Sequence, residues 1–229
     1  MKPVWIFFLL LSFSSPALSQ VSQTTIDLDN LSDKISYEES KTNTLDGVYV
    51  KGTPYLNKEF TPGEVVINDS IKYHNIPLRY SIYTDKIQFL NAQKQIRVLD
   101  NSQQTYRFDF GNHAFTIRDY LGDEGKVKHG VLEVLADGHI QLYKKYQVDF
   151  EQATKAIGYK DAEPNRFVRQ DDELLIAVGK AIPQKIRPNK KLLKKLAQFK
   201  PNIEQYVKNH KLNPKSERDL IQLIQYCNN

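Results

Sequence analysis

The sequence predicts an α+β protein: a curled antiparallel β-meander, an open barrel or half-barrel, followed by a small C-terminal helical tail. Three observations point there. Apolar and aromatic residues alternate with polar ones from Gly47 to about Phe150, which is the period of a strand. Turn residues cut that stretch into short pieces with no room for crossover helices. From Pro188 onward the apolar period becomes 3.6.

Residues 1–19 read as a signal peptide. Lys2 precedes the uncharged run of Val4 to Leu11, and Ala17-Leu18-Ser19 fits the small-x-small cleavage pattern. The run is too short for the ~20 apolar residues a membrane span needs. The mature chain is expected to begin near Gln20, exported to the periplasm, the cell surface or beyond, with no transmembrane segment. Residues 20–45 are polar and slightly acidic and read as a flexible lead-in.

Residues 46–187 form the expected antiparallel β domain. Leu78, Tyr80 and Ile82 point one way and Arg79, Ser81 and Tyr83 the other; Tyr106, Phe108 and Phe110 alternate likewise. Asp137-Gly138, between Val131 to Leu135 and His139 to Val148, is the strongest two-residue hairpin signal. Eight to ten strands are counted before residue 151. A connection over residues 151–165 then leads to strands near Arg166 to Arg169, Glu173 to Val178 and Ala181 to Ile186. A meander of this length has to curl. Residues 188–229 divide into three helices of about 8–13 residues, starting at Pro188-Asn189, Pro201-Asn202 and Asn213-Pro214. Short helices need the sheet or one another to stand.

Charge is unevenly divided. Residues 180–229 carry 12 Lys/Arg against three acids, +9; residues 20–179 carry 19 against 24, −5. Lys190, Lys191, Lys194 and Lys195 fall within a 140° arc of a helical wheel, opposite Leu192, Leu193, Leu196, Ala197 and Phe199. Four ammonium groups on one face suit phosphates of an anionic envelope surface; they equally suit the solvated side of an amphipathic helix. Stacking aromatics are absent from that face, and with the export signal this argues against nucleic acid.

Catalytic motifs are scarce. The five histidines form no HExxH, the single Cys227 forms no CxxC, and GxSxG, GxxxxGK[ST] and a post-strand GxGxxG are missing. No metal or cofactor is expected. Asp109 and His113 flank the Gly111-Asn112 turn and suit either an acid–base pair or an ordinary turn. His129 and His139 flank a hairpin. Glu59, Glu64, Asp109 and Asp119 are the candidates for a hydrolase built from spatially assembled carboxylates. Cys227 reads as a buried thiol in a helical stripe. Tyr73, Tyr80, Tyr83 and Tyr106 are candidates to line a concave face holding an apolar or sugar ligand, and are equally good core residues.

Asp69-Ser70-Ile71 resembles the Asp-Ser/Thr-aliphatic acceptor for O-glycosylation in exported bacteroidete proteins, with Ser70 in an expected exposed turn. Gly52 to Asn57 with Glu59-Phe60, Gly63-Glu64-Val65, Ile76 to Tyr80 with Ile82-Tyr83, and the ending Asp219-Leu220-Ile221 with Ile224 and Tyr226 resemble a set of secreted bacteroidete proteins of unknown function. The resemblance implies export and a β-rich body with a helical tail, and brings no activity with it. The expected role is therefore a non-enzymatic binding or structural accessory of the cell envelope. The alternatives are the carboxylate hydrolase and a surface binder acting through the four lysines.

Overall fold

The computed structural model describes residues 44–45, 48–99, 105–123, 125–155 and 162–229. The expected signal peptide and most of the lead-in lie outside them. Among the described residues fourteen strands precede three helices: β1 (Thr44–Leu45), β2 (Val48–Tyr49), β3 (Thr61–Ile67), β4 (Ile71–Ser81), β5 (Lys86–Leu90), β6 (Ile96–Leu99), β7 (Tyr106–Phe110), β8 (His113–Leu121), β9 (Val127–Ala136), β10 (Ile140–Lys145), β11 (Val148–Glu151), β12 (Arg166–Arg169), β13 (Glu173–Val178), β14 (Gln184–Lys185), α1 (Lys190–Leu196), α2 (Ile203–Asn209) and α3 (Glu217–Asn228). The β-then-α order and the antiparallel curl are those the sequence predicts.

Ten strands form one sheet in the order β14-β13-β10-β9-β8-β7-β3-β4-β5-β6. Local hairpins join most neighbours. In the β3–β4 hairpin Asn68 and Asp69 have φ of 50° and 56°, the backbone of a type I′ turn. β9 and β10 are joined through Asp137, Gly138 and His139 rather than by the expected two-residue turn: Asp137 lacks the positive φ such a turn needs, Gly138 takes φ 141°, and Ala136 pairs with Leu142 beside a register shift. Three pairings leave the meander. β3 sits between β4 and β7, and β13 pairs with β10 across the β11–β12 excursion. β14 pairs with β13 on one side and, in parallel, with β8 on the other, Gln184 opposite Leu121. That last pairing closes β8, β9, β10, β13 and β14 into a five-stranded barrel, so the curl is fully closed at this end. The other five strands of this sheet, β3 to β7, form a second curl, in which β5 returns against β9, while β1–β2 and β11–β12 pair as separate two-stranded sheets.

β8 and β9 belong to both curls, and their side-chain alternation divides two cores. Tyr120 and Leu132 face the barrel with Tyr143, Leu175 and Ala177. Phe115, Ile117 and Val131 point the opposite way, into the second curl with Val65, Ile67, Leu78, Tyr80, Phe89 and Phe108. Both interiors are filled. Tyr80, Phe89, Tyr106, Phe108 and Phe115 are each under 2% exposed. A third core lies outside the barrel, where Ala136, Ile140 and Leu142 meet Leu192, Leu196, Ile203, Leu220, Leu223 and Ile224 of the helices.

The tail differs from expectation in its boundaries. α1 and α2 are seven residues each, below the expected range. Pro201 lacks the N–H a continuing helix needs and disfavours helical backbone at Lys200, which separates the two. α3 begins at Glu217 rather than at Pro214. Asn213 Oδ1 accepts from Lys215 N and Asn213 O from Ser216 N, making a separate turn, and Ser216 becomes the cap. The expected strand from Ala181 to Ile186 shrinks to Gln184–Lys185, the two residues that seal the barrel.

Candidate functional site

Titratable groups converge in one place, around Glu133. This residue stands on β9 opposite Phe115 of β8 and Lys144 of β10, and its side chain is 7% exposed. His113 Nδ1 lies 2.6 Å from its Oε1, and the Tyr146 hydroxyl donates to Oε2 at 2.6 Å. Lys144 Nζ lies 3.6 Å from the same Oε2 and donates to Glu217 at 2.7 Å, tying the first turn of α3 to the sheet. Burial, then the bond to Glu133, pushes the Tyr146 phenol well above its ordinary range. Arg169 lies over the Tyr146 ring, 4.8 Å from its centroid, and pairs with Asp172 at 2.5 Å. Burial raises the Asp172 carboxyl despite that pair. A carboxylate only accepts, so a ring proton of His113 sits on Nδ1 in the bond to Glu133. Both carboxylate oxygens of Glu133 are occupied from within the chain.

A second polar group lies behind it. Lys145 points to the opposite side of β10 from Lys144, is 8% exposed, pairs with Asp85 and donates to Val131 O at 3.1 Å. Asp85 Oδ1 also accepts from Tyr80 Oη at 2.8 Å and Val131 N at 3.3 Å, so the β4–β5 turn is bonded to β9 through one carboxylate. Burial lowers the Lys145 ammonium below its ordinary value, an effect that Asp85 opposes. Burial also raises Tyr80, and Tyr120 to about 12, with Asp85 adding to both. A Cβ at position 130 would overlap Asp85 Oδ2, so any larger residue there displaces the carboxylate from its place beside Lys145.

Arg79 shows how the chain uses a buried cation for structure. Its guanidinium lies between the Tyr55 and Phe60 rings, 3.7 and 4.2 Å from their centroids, and donates to Gln88 Oε1 and Lys58 O. The segment before β3 is thereby fixed to β4 and β5. Desolvation lowers its pKa, but a guanidinium stays charged at any ordinary pH.

The other residues singled out from sequence are spread over the molecule. Lys190, Lys191, Lys194 and Lys195 are all exposed on α1, while Leu192 and Leu196 are buried beneath them. Ser70 is exposed in the β3–β4 turn, as expected. The four tyrosines do not line one ligand face. Tyr80 and Tyr106 are 1% exposed in the core and Tyr73 packs against it. Tyr83 is 50% exposed beside Phe150 and Phe167. Asp109 is bound to Arg107, and the base that His113 actually meets is Glu133. Glu64, opposite Asp109 across β3 and β7, pairs with His74 and Lys72; Asp119 pairs with His129; Glu59 is exposed. His139 meets the Phe199 ring edge-on rather than meeting His129. Cys227 is half-buried against the helical core, and burial raises its thiol. Among the described residues no three His, Cys, Asp or Glu side chains are placed to hold a metal ion, and no helix is long and apolar enough to cross a membrane.

Sequence reasoning missed Glu133, Tyr146, Asp85 and the division between Lys144 and Lys145. One signal was present. Two adjacent lysines inside a strand point to opposite faces, so one of them enters the interior of a curled sheet and requires a carboxylate there.

The first turn of α1 carries Lys190 and Lys191 and no acid. Cations there oppose the helix dipole, and Lys190/Lys194 and Lys191/Lys195 are like-charged pairs at i,i+4. Each such pair costs about 0.2–0.5 kcal/mol. Asn189 compensates in part, its Oδ1 accepting from Lys191 N and Leu192 N. No protein family model, curated protein or solved structure matches this chain.

Proposed function

We propose that the protein is a non-enzymatic binding accessory of the cell envelope, exported by cleavage near Gln20, that engages its partner at its surface rather than in a pocket. The observation that supports this is the filled interior. A ligand-holding barrel reserves about 300 Å³ or more for its guest, whereas here Tyr80, Tyr106, Phe89, Phe108 and Phe115 fill one curl and Tyr143, Leu132 and Leu175 the other. The buried charges are likewise engaged by partners within the chain, Glu133 by His113 and Tyr146, Lys145 by Asp85. Native mass spectrometry of the protein purified from its own cells tests the reading. The expected mass is that of residues 20–229, plus any covalent glycan on Ser70. A stoichiometric non-covalent sugar or lipid would overturn it.

A second reading, hydrolysis, rests on the meeting of His113, Glu133 and Lys144 beside Tyr146, with the Arg169–Asp172 pair against the same ring. In that case Nε2 of His113 is the general base and Glu133 its positioning group. Turnover of ester, glycoside or peptide substrates that disappears in a folded His113→Ala protein would establish it. The binding reading expects no turnover by either protein.

A further inference from the structure

We infer that the exposed face of α1 is a docking surface for an anionic phospholipid bilayer, held by electrostatics without insertion. The inference rests on the surface-binding reading above and names its surface and partner. Its first support is charge. Residues 174–203 contain no Asp or Glu but eight Lys or Arg, and α1 stands at the centre of that stretch. Of these bases Lys185 is paired, with Asp123 and Glu173. Among the described residues Lys190, Lys191, Lys194 and Lys195 have no ion pair, although the rest of the molecule matches most of its buried and half-buried charges closely. The second support is local cost. Two lysines sit at the wrong end of the helix dipole and all four form like-charged i,i+4 pairs, a cost that the Asn189 cap and the last-turn placement of Lys194 and Lys195 offset only in part. A rule broken at the surface without structural gain marks a position kept for another purpose.

The geometry selects a broad partner. The lysines diverge over 140° along a seven-residue helix and converge on no common point, so they do not enclose a single phosphate. A planar array of headgroups meets three or four of them together. Insertion is excluded by packing: Leu192 and Leu196, the apolar side of α1, are 5% and 2% exposed and belong to the core shared by the three helices and the barrel's outer face. Docking is therefore salt-reversible, and the β body stays outside the bilayer.

The test is co-sedimentation of the mature chain with vesicles of neutral phosphatidylcholine carrying 30% phosphatidylglycerol, against vesicles of phosphatidylcholine alone. The expected result is binding to the anionic vesicles at low salt that is lost by about 0.5 M NaCl. Replacing all four lysines by Gln lowers the partition coefficient by about a hundredfold or more, at the roughly tenfold per 1.4 kcal/mol and ~1 kcal/mol per lysine of such surfaces. A control with Lys208, Lys211 and Lys215 changed to Gln binds nearly as well as the parent. Circular dichroism and a thermal melt accompany each protein. The four-Gln chain is expected to be as stable as the parent or more so, since the like-charge pairs are gone. Absent binding, equal loss in both variants, or binding to a soluble polyanion such as heparin but not to vesicles would each overturn the inference. In those cases a bare native mass still leaves surface binding elsewhere standing, so the two failures are distinguishable.

Discussion

Asp85 and Lys145 offer the sharpest test of how the two curls are joined. Lys145 is ion-paired inside the sheet because Asp85, from the β4–β5 turn, reaches over the backbone of Gly130 to meet it, opposing the effect of burial on the ammonium. Asp85→Asn removes the charge while keeping an amide oxygen for Tyr80 Oη and Val131 N. The ammonium is then left with neutral acceptors in a site 10% exposed at the side chain. Removing one partner of a fully buried pair costs about 3–5 kcal/mol. Asp85 is 29% exposed and Val131 O remains as an acceptor, so we expect about 2–4 kcal/mol here. The effect should depend on Lys145. In a Lys145→Met background Asp85 keeps two donors and some water, and Asp85→Asn should cost under about 1 kcal/mol. Urea unfolding of the four proteins at pH 7 gives the coupling directly.

The pH dependence has a definite sign. Burial holds the folded-state pKa of Lys145 below the unfolded value of 10.5. Between those two values the unfolded chain binds more protons, so this group makes stability rise with pH. Without Asp85 the folded pKa falls further and the window widens downward. The Asp85→Asn deficit should therefore shrink between pH 7 and pH 9.5. Equal cost of Asp85→Asn in both backgrounds, or a deficit that grows toward pH 9.5, would refute the reasoning.

Asn228 should behave as a latch for α3. Its Nδ2 donates to Asp137 O and Ile140 O and its Oδ1 accepts from Ile140 N, so Asn228→Ala should cost about 1–2 kcal/mol in urea and speed hydrogen exchange in the last turn of α3. The buried tyrosines should set the alkaline limit. Tyr120 is raised to about 12 and Tyr80, Tyr143 and Tyr146 are raised as well, so their contribution is whole below the unfolded pKa of about 10 and is lost as pH rises above it. A 295 nm titration of the folded protein should show a block of tyrosines ionising late and together with unfolding. Gly130→Ala should lower stability by about 2–3 kcal/mol, and by less in the Asp85→Ala background, where the overlapping carboxylate is gone.

Local signals in the sequence were sound where partners are neighbours in the chain. The alternation of Tyr106, Phe108 and Phe110 against Arg107 and Asp109 maps onto β7 with the aromatic set buried. Asp137-Gly138 marks where β9 reverses into β10 but not the turn itself, since a three-residue loop and a register shift at Leu142/Tyr143 replace the expected two-residue turn. Alternation fails at the end of β4, where Leu78, Arg79, Tyr80 and Ser81 are all buried: the Tyr55 and Phe60 rings cover the face bearing Arg79. Closure of the barrel was hidden because it depends on Gln184 meeting Leu121, sixty-three residues away, with no local motif at either end. The Glu133 cluster was hidden for the same reason. His113, Tyr146 and Glu217 come from β8, the strand end after β10, and α3, and a single-sequence period carries no information on which of them share a side of β9. The lysine face of α1 was legible, since its four residues lie within one helix.

Hydrogen exchange of the mature protein, followed by mass spectrometry with and without membranes from its own cells, distinguishes surface engagement from a buried site. Added protection confined to residues 187–200 is the result this reading predicts, with β3 to β9 unchanged. Protection centred on His113, Glu133 and Tyr146, with α1 unaffected, would contradict it and move the function to the polar cluster.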